Sequence, residues 1–267
     1  MNILCAGIND VDAGKTTLSI ALLRYLKGKE HEACGFKPRS GNNLWYHWDI
    51  VKEGLKKGCP YSHDATLLKN ESSENPSITL LNPVHRVWSP SSEELQWEQV
   101  PHFLLDRITI KDKNIIALNE CLDLPIDSKY LEETLRKNEV ISISSRRDLE
   151  ALNNLYDQAD DWAYSLLSRK FNFIVCESYC NIAVPWNGLT NLDHVFVIEP
   201  FRVRVYQGDR YLKSLQLIST LPFEEETFRV IEPLEPIQEI HIPPFSGNIA
   251  EKLKNHLSPY LDELFTL

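Results

Sequence analysis

Ile3-Leu4-Cys5-Ala6-Gly7-Ile8-Asn9-Asp10-Val11-Asp12-Ala13-Gly14-Lys15-Thr16-Thr17 is the stretch on which the fold turns. Residues 2–6 are a short unbroken apolar run, the pattern of a strand buried on both faces. Residues 7–14 then form a loop. From Thr16 onward Leu18, Ala21, Leu22, Tyr25 and Leu26 recur at helical spacing, and the pattern stops near Gly28. A first strand, a loop closing on Gly-Lys-Thr and an amphipathic helix together form a cradle. Successive main-chain N–H groups turn inward, and the helix adds the partial positive charge of its N-terminus.

This cradle predicts a triphosphate site over residues 9–17. Asn9, Asp10, Val11, Asp12, Ala13 and Gly14 wrap the phosphates, Lys15 bridges the β- and γ-phosphates, the Thr16 hydroxyl coordinates Mg²⁺ and Thr17 supports the α-phosphate. The cofactors expected are therefore ATP and Mg²⁺. Asn9 stands where the GxxxxGK[ST] pattern has its first glycine, and asparagine tolerates the left-handed backbone better than most residues. Asp10 and Asp12 are acids in a loop meant for anions. Each reads either as facing a cationic substrate group or a metal-bound water, with Asp12 assigned to substrate, or as a solvated loop tip.

Working outward, residues 32–38 read as a second strand closed by Pro38, which has no N–H for the ladder. Strand, loop, helix and strand together open a parallel sheet. Residues 39–62 read as loop with one short helix, 64–69 as helical, and 76–102 as irregular with a short helix near 93–99. Residues 102–110 and 114–119 alternate as a hairpin around Lys111-Asp112-Lys113. Leu149, Leu152, Leu155, Ala159, Trp162, Ala163, Leu166 and Leu167 keep a helical period. Residues 171–177 form a buried strand ending in Glu177, 194–198 another strand, 206–218 a helix, 229–231 and 240–242 short strands, and 249–265 a terminal helix disturbed at Pro259. The fold expected is α/β: a P-loop NTPase-type three-layer fold with a mostly parallel central sheet and a central insertion. It is read as a single domain over 1–267 with an elaboration at about 91–147.

Composition limits the partners. A net charge of −10 over 267 residues argues against nucleic acid, so an anionic ligand must be met by local lysines, amides and a metal. No apolar run approaches the ~20 residues of a membrane span. The first strand begins directly after Met1, without a basic segment or a cleavage site, so a cytoplasmic protein is expected. The six cysteines are irregularly spaced; Cys176 and Cys180 form a CxxxC with no second ligand pair at zinc-like spacing, which reads as structural. His47, His63, His85 and His102 are scattered without paired carboxylates and read as structural too.

With these residues in view, the chain resembles dethiobiotin synthetase and its relatives among the P-loop proteins. That family opens with a strand, a loop of the form GTDTxVGKT, a helix and a second strand ending in KPxxSG. Here the loop is Ile8-Asn9-Asp10-Val11-Asp12-Ala13-Gly14-Lys15-Thr16, and the second strand ends Lys37-Pro38-Arg39-Ser40-Gly41. The family's SDA helix start is similar to Ser62-His63-Asp64-Ala65. Its NP segment is similar to Asn82-Pro83 with the run to Ser89-Pro90, and its strand ending in an acid to Phe173-Ile174-Val175-Cys176-Glu177. The correspondence covers about residues 1–90 and, more loosely, 160–200.

The resemblance implies catalytic roles for Lys15 and Lys37, the latter beside the γ-phosphate where it stabilises an anionic intermediate such as a carbamate. It implies a magnesium shell of Thr16, Asp64 and Glu177, and substrate or phosphate contact by Ser40, for which a turn role is the alternative. An acid closing a buried strand is costly without a partner, so Glu177 is the stronger of the two carboxylates. The family's members are homodimers, and the same is expected here. Two departures touch the acceptor site: the glycine-rich turn after the acid becomes Ser178-Tyr179-Cys180-Asn181, and Leu44-Trp45-Tyr46-His47-Trp48-Asp49 has no family counterpart. That aromatic stretch reads as packing or as the lining of a pocket, with packing favoured.

The function expected is an ATP-dependent, Mg-requiring ligase or cyclo-ligase acting on a small-molecule acceptor. A carboxylate or carbamate is activated by phosphorylation and attacked by an amine. The alternatives are a nucleotide-switched regulatory or assembly ATPase, with its conformational change in residues 90–150, and an ATP-binding relic without turnover.

Overall fold

Strands and helices are numbered along the chain. β1 (Asn2–Gly7) lies inside a six-stranded sheet because Ile3, Leu4, Cys5 and Ala6 are all fully buried and no face of the strand is left for water. The computed structural model describes residues 1–9, 13–90, 99–122, 126–219 and 224–265. The chain divides into two units: Met1–Pro38, Leu67–Pro76 and Leu166–Leu267 form the first, and Arg39–Thr66 with Ser77–Ser165 the second.

In the first unit the strand order is β11-β10-β9-β1-β8-β2. β2 (Ala33–Phe36), β8 (Phe173–Glu177), β1 and β9 (His194–Glu199) run parallel. β10 (Arg202–Gln207) and β11 (Gln238–His241) continue the sheet antiparallel. Ile3 and Cys5 on β1 pack with Leu18, Leu22 and Leu26 of α1 (Lys15–Gly28) and with Leu253, Leu257 and Leu261 of α10 (Ile249–Leu264). Leu4 and Ala6 point to the opposite face and are equally buried, so both faces of the sheet are covered. This is an α/β unit with a mostly parallel sheet.

Two expectations change here. Tyr206 belongs to β10, and helix α8 (Gly208–Ile218) begins after it. The reason is a hairpin: Glu199 pairs with Arg202 across Pro200-Phe201, Phe201 takes φ 65, and Val203 and Val205 alternate into the core. Residues 229–231 belong to a short helix, α9 (Thr227–Ile231), not to a strand. An apolar run of three residues carries no period that separates the two. The terminal helix α10 continues through Pro259.

The second unit carries its own mixed sheet in the order β3-β4-β5-β6-β7. Its strands are β3 (Arg39–Asn43), β4 (Val84–Trp88), β5 (Phe103–Ile110), β6 (Lys113–Asn119) and β7 (Glu139–Ile143). The expected hairpin is present as β5 and β6, joined by Lys111 and Asp112, both at positive φ. The stretch 39–62, read as loop with one helix, supplies an edge strand and α2 (Trp48–Lys57). α2 sets Val51 and Leu55 against Val87, Leu105 and Ile116, beside α5 (Glu132–Lys137). Leu149 of α6 (Arg146–Ala151) and Tyr156 and Ala159 of α7 (Asn153–Lys170) pack on Val84, Ile108 and Ala117 in a separate cluster. Residues 91–147 thus belong to a unit that already begins at Arg39. The helix expected near 93–99 lies, up to residue 98, outside the described residues. α3 (His63–Glu71) and the single turn α4 (Ile78–Leu81) complete the helices.

Candidate functional site

The register of the first sheet brings three strand ends together. Cys5 of β1 lies opposite Glu177 of β8, and Phe36 of β2 opposite Cys176, so Gly7, Glu177 and Lys37 come at the carboxyl ends of three parallel strands. In open α/β sheets this edge is where ligands bind. Gly14 closes the loop at φ 90, a left-handed conformation that only glycine adopts without strain. A Cβ there would also stand 3.2 Å from Ile198 Cδ1. Among the described residues no side chain caps α1, and its first turn carries no acid. The helical ladder opens with the Leu18 N–H donating to Gly14 O at 2.9 Å, so the amides ahead of Leu18 point out of the helix end.

Around that end, among the described residues, sit the polar side chains of Lys15, Thr16, Lys37 and Glu177. Lys15, 8% exposed, folds back over β1 and donates from Nζ to the carbonyl of Cys180 at 2.5 Å. Gly7 makes the room, since a Cβ there would stand 3.2 Å from both Lys15 Cδ and Nζ. Thr16 Oγ1 donates to Glu177 Oε1 at 2.8 Å. Lys37, 4% exposed, donates to the same Oε1 at 2.5 Å and to Ser178 O at 3.0 Å.

Glu177 is fully buried, and its second oxygen, Oε2, has no hydrogen-bond partner among the described residues. A buried carboxylate oxygen left unpaired costs on the order of 1–3 kcal/mol or more, so Glu177 is built to receive another cation or donor. Among the described residues, two ammonium groups stand with one carboxylate at a helix N-terminus, an arrangement that suits an anion. Beside them Cys5 is inert: burial pushes its thiol up to about 12, the Ser19 hydroxyl pulls it back, and the Glu177 carboxylate raises it further.

Among the described residues no group of three or more His, Cys, Asp and Glu is placed to hold a metal. A metal here would take the Thr16 hydroxyl, the Glu177 carboxylate, and oxygens from phosphates and water. That set fits Mg²⁺, which binds few carboxylates and keeps several waters.

The structure brings Lys15, Thr16, Lys37 and Glu177 together, with Gly14 and Ala13 closing the loop; Asn9 is exposed and Thr17 half-buried. Asp10, Val11 and Asp12 lie outside the described residues. Asp64, half-buried in the first turn of α3, and Ser40 belong to the second unit. Ser40 is not in a turn: it sits in β3, its Oγ 3.1 Å from Asn82 Oδ1 and 3.1 Å from His85 Nδ1. Of the aromatic stretch, Trp48 packs edge-on against Tyr130, whereas Trp45 and Tyr46 are 76% and 77% exposed, so packing accounts for only part of it. The turn after Glu177 holds what sequence reasoning missed. Its carbonyls, from Ser178 and Cys180, are the acceptors for both lysines. Cys180 stands at φ 45, a left-handed conformation with no signal in a non-glycine sequence. No known protein-family model matches the chain, and no curated protein matches it in sequence.

Proposed function

We propose that the chain is a P-loop protein of three-layer architecture that binds ATP with Mg²⁺ and acts as an ATP-dependent ligase or cyclo-ligase resembling dethiobiotin synthetase. The observation that carries this reading is Glu177: one oxygen takes Thr16 and Lys37 together, and the other is buried without a partner among the described residues at the open end of α1. ATP supplies a phosphoryl group that turns a poor leaving oxygen into a good one, and magnesium spreads the charge of the phosphates.

The rest is the work of the chain. Lys15, anchored over Gly7, places an ammonium where phosphate charge accumulates. Lys37 adds a second ammonium from the neighbouring strand end, and Glu177 fixes its direction. The left-handed Gly14 opens α1 so that the amides ahead of Leu18 can face an anion. Burial of both lysines excludes water and strengthens each contact. The acceptor proposed is a small molecule bearing an amine that reacts with an activated carboxylate or carbamate.

The test is phosphate release from Mg-ATP with bicarbonate and a panel of diamines and amino acids. Release that rises severalfold with one acceptor supports a ligase. Slow release indifferent to every acceptor would replace it with the regulatory ATPase.

A further inference from the structure

Two adjacent aromatic side chains of the second unit are hardly used by its fold. Trp45 and Tyr46 are 76% and 77% exposed, although such rings ordinarily carry much of the buried area of a core or an interface. The turn that holds them is closed by other groups. Asn43 Oδ1 accepts the Trp45 N–H at 2.9 Å and the Tyr46 N–H at 3.2 Å. The His47 N–H donates to Asn43 O at 2.8 Å, the Asn43 N–H to His47 Nδ1 at 3.2 Å, and the Leu44 N–H to Trp88 O at 2.7 Å. Asn43 and His47 therefore set the turn, and the two rings stand out from it on a backbone that is already ordered.

The helix that follows adds charge. Trp48, Lys52 and Lys56 recur every four residues along α2 and so share one face. Trp48 packs edge-on against Tyr130. The Nζ atoms of Lys52, Lys56 and Lys129 lie 5.8, 5.7 and 5.2 Å from the centroid of that same Tyr130 ring. Lys129 pairs with Asp127, whereas Lys52 and Lys56 have no carboxylate partner among the described residues. Like charges four residues apart weaken a helix, and three ammonium groups on one ring repel one another. Exposed aromatics and crowded like charges both work against the fold, the mark of a surface kept for a partner.

We propose that the 43–47 turn and the ammonium groups of Lys52, Lys56 and Lys129 together bind single-stranded nucleic acid. Bases stack on Trp45 and Tyr46, and phosphates meet the three lysines. Two features favour this occupant. Rings displayed on an ordered turn suit the open faces of unpaired bases, which a duplex keeps stacked inside. The three cations on Tyr130 are lysines, point charges that suit phosphate, without the arginine fork that matches the planar carboxylates of an acidic peptide. The net charge of −10 belongs to the whole chain, and screening over about 10 Å lets these ammonium groups act locally. All the residues involved belong to the second unit, so the inference stands apart from the nucleotide reading.

Fluorescence anisotropy on the full chain tests it, with a labelled single-stranded RNA of about a dozen nucleotides and excess Mg-ATP throughout to keep the label off a mononucleotide site. The expected result is saturable binding at low salt, with a slope of about −2 in log affinity against log salt for three phosphates. Trp45→Ala with Tyr46→Ala should weaken it at least about fivefold at an unchanged slope. Lys52→Gln with Lys56→Gln should bring the slope to about −0.7, and Lys52→Arg with Lys56→Arg should restore it. No binding by wild type, or equal binding by the alanine and glutamine variants, would overturn the proposal. Equal affinity for poly-L-glutamate would overturn it in favour of an acidic peptide, and binding to phosphatidylserine vesicles alone in favour of a lipid surface. None of these outcomes depends on whether ATP binds at Lys15.

Discussion

At the scale of single residues the chain concentrates its electrostatic risk at Glu177. Removing one partner of a buried ion pair leaves the other charge uncompensated, at a cost of about 3–5 kcal/mol, whereas removing both costs much less. Glu177→Gln and Lys37→Met are each expected to lower unfolding free energy by that order, and the double variant to lose clearly less than the sum. Urea denaturation of the four proteins reads this directly, and additive losses would mean that the pair is not coupled. Two residues of the second unit predict opposite pH dependences. His85 is fully buried; burial and then the neighbouring Arg107 guanidinium hold its imidazole well below the usual 6.5. Its folded value is depressed, so its contribution is present above pH 6.5 and is lost as acid protonates the unfolded chain. Asp160 is buried too, and burial raises its carboxyl from 3.8 to about 7, against the pull of Arg39. Its contribution is present below pH 3.8 and is lost as pH rises through about 7. Between about pH 5 and pH 7, denaturation should therefore find wild type losing stability on acidification relative to His85→Gln, and losing it on alkalinisation relative to Asp160→Asn. The slopes are bounded by about 1.4 kcal/mol per pH unit, and parallel curves would refute both assignments.

At the scale of elements, the β5–β6 hairpin shows how far sequence patterning reaches. The alternation in 102–119 marks both strands and the position of their turn, because a period of two is readable wherever one face is buried. The turn itself is Lys111-Asp112 at φ 50 and φ 62, residues that carry no glycine or asparagine signal for a left-handed pair. Lys111→Asn with Asp112→Gly should relieve that strain and raise stability by about 1 kcal/mol, measured as a shift in denaturation midpoint; a fall would mean that the native side chains contribute something the backbone does not show. The opening strand, loop and helix were legible for the same kind of reason: β1, Gly14, Lys15, Thr16 and the period of α1 agree within one short stretch. Glu177 stood out as an acid closing a buried strand, and Lys37 chiefly through the resemblance. The second sheet was not. β3 is Arg-Ser-Gly-Asn-Asn, an edge strand without apolar alternation, and β7 pairs with β6 from across a separate helical stretch. The carbonyl contacts of Lys15 and Lys37 were equally hidden, since main-chain acceptors leave no mark in side-chain pattern.

At the scale of the whole chain, a net charge of −10 makes a site of two buried lysines a local exception to the global field. Among the described residues no helix is long and apolar enough to cross a membrane. The resemblance to dethiobiotin synthetase implies a homodimer; sedimentation velocity should give twice the chain mass, and a monomer at all concentrations would remove that expectation. The central claim is that main-chain amides and Lys15 hold a triphosphate beyond β1. Isothermal titration calorimetry of Mg-ATP tests it most directly, with wild type and Lys15→Ala side by side. The account predicts saturable binding by wild type and a dissociation constant raised roughly 10- to 100-fold in the variant, the loss of a charge-assisted hydrogen bond of about 1.5–3 kcal/mol. No heat with any purine triphosphate, or equal affinity of the two proteins, would contradict it.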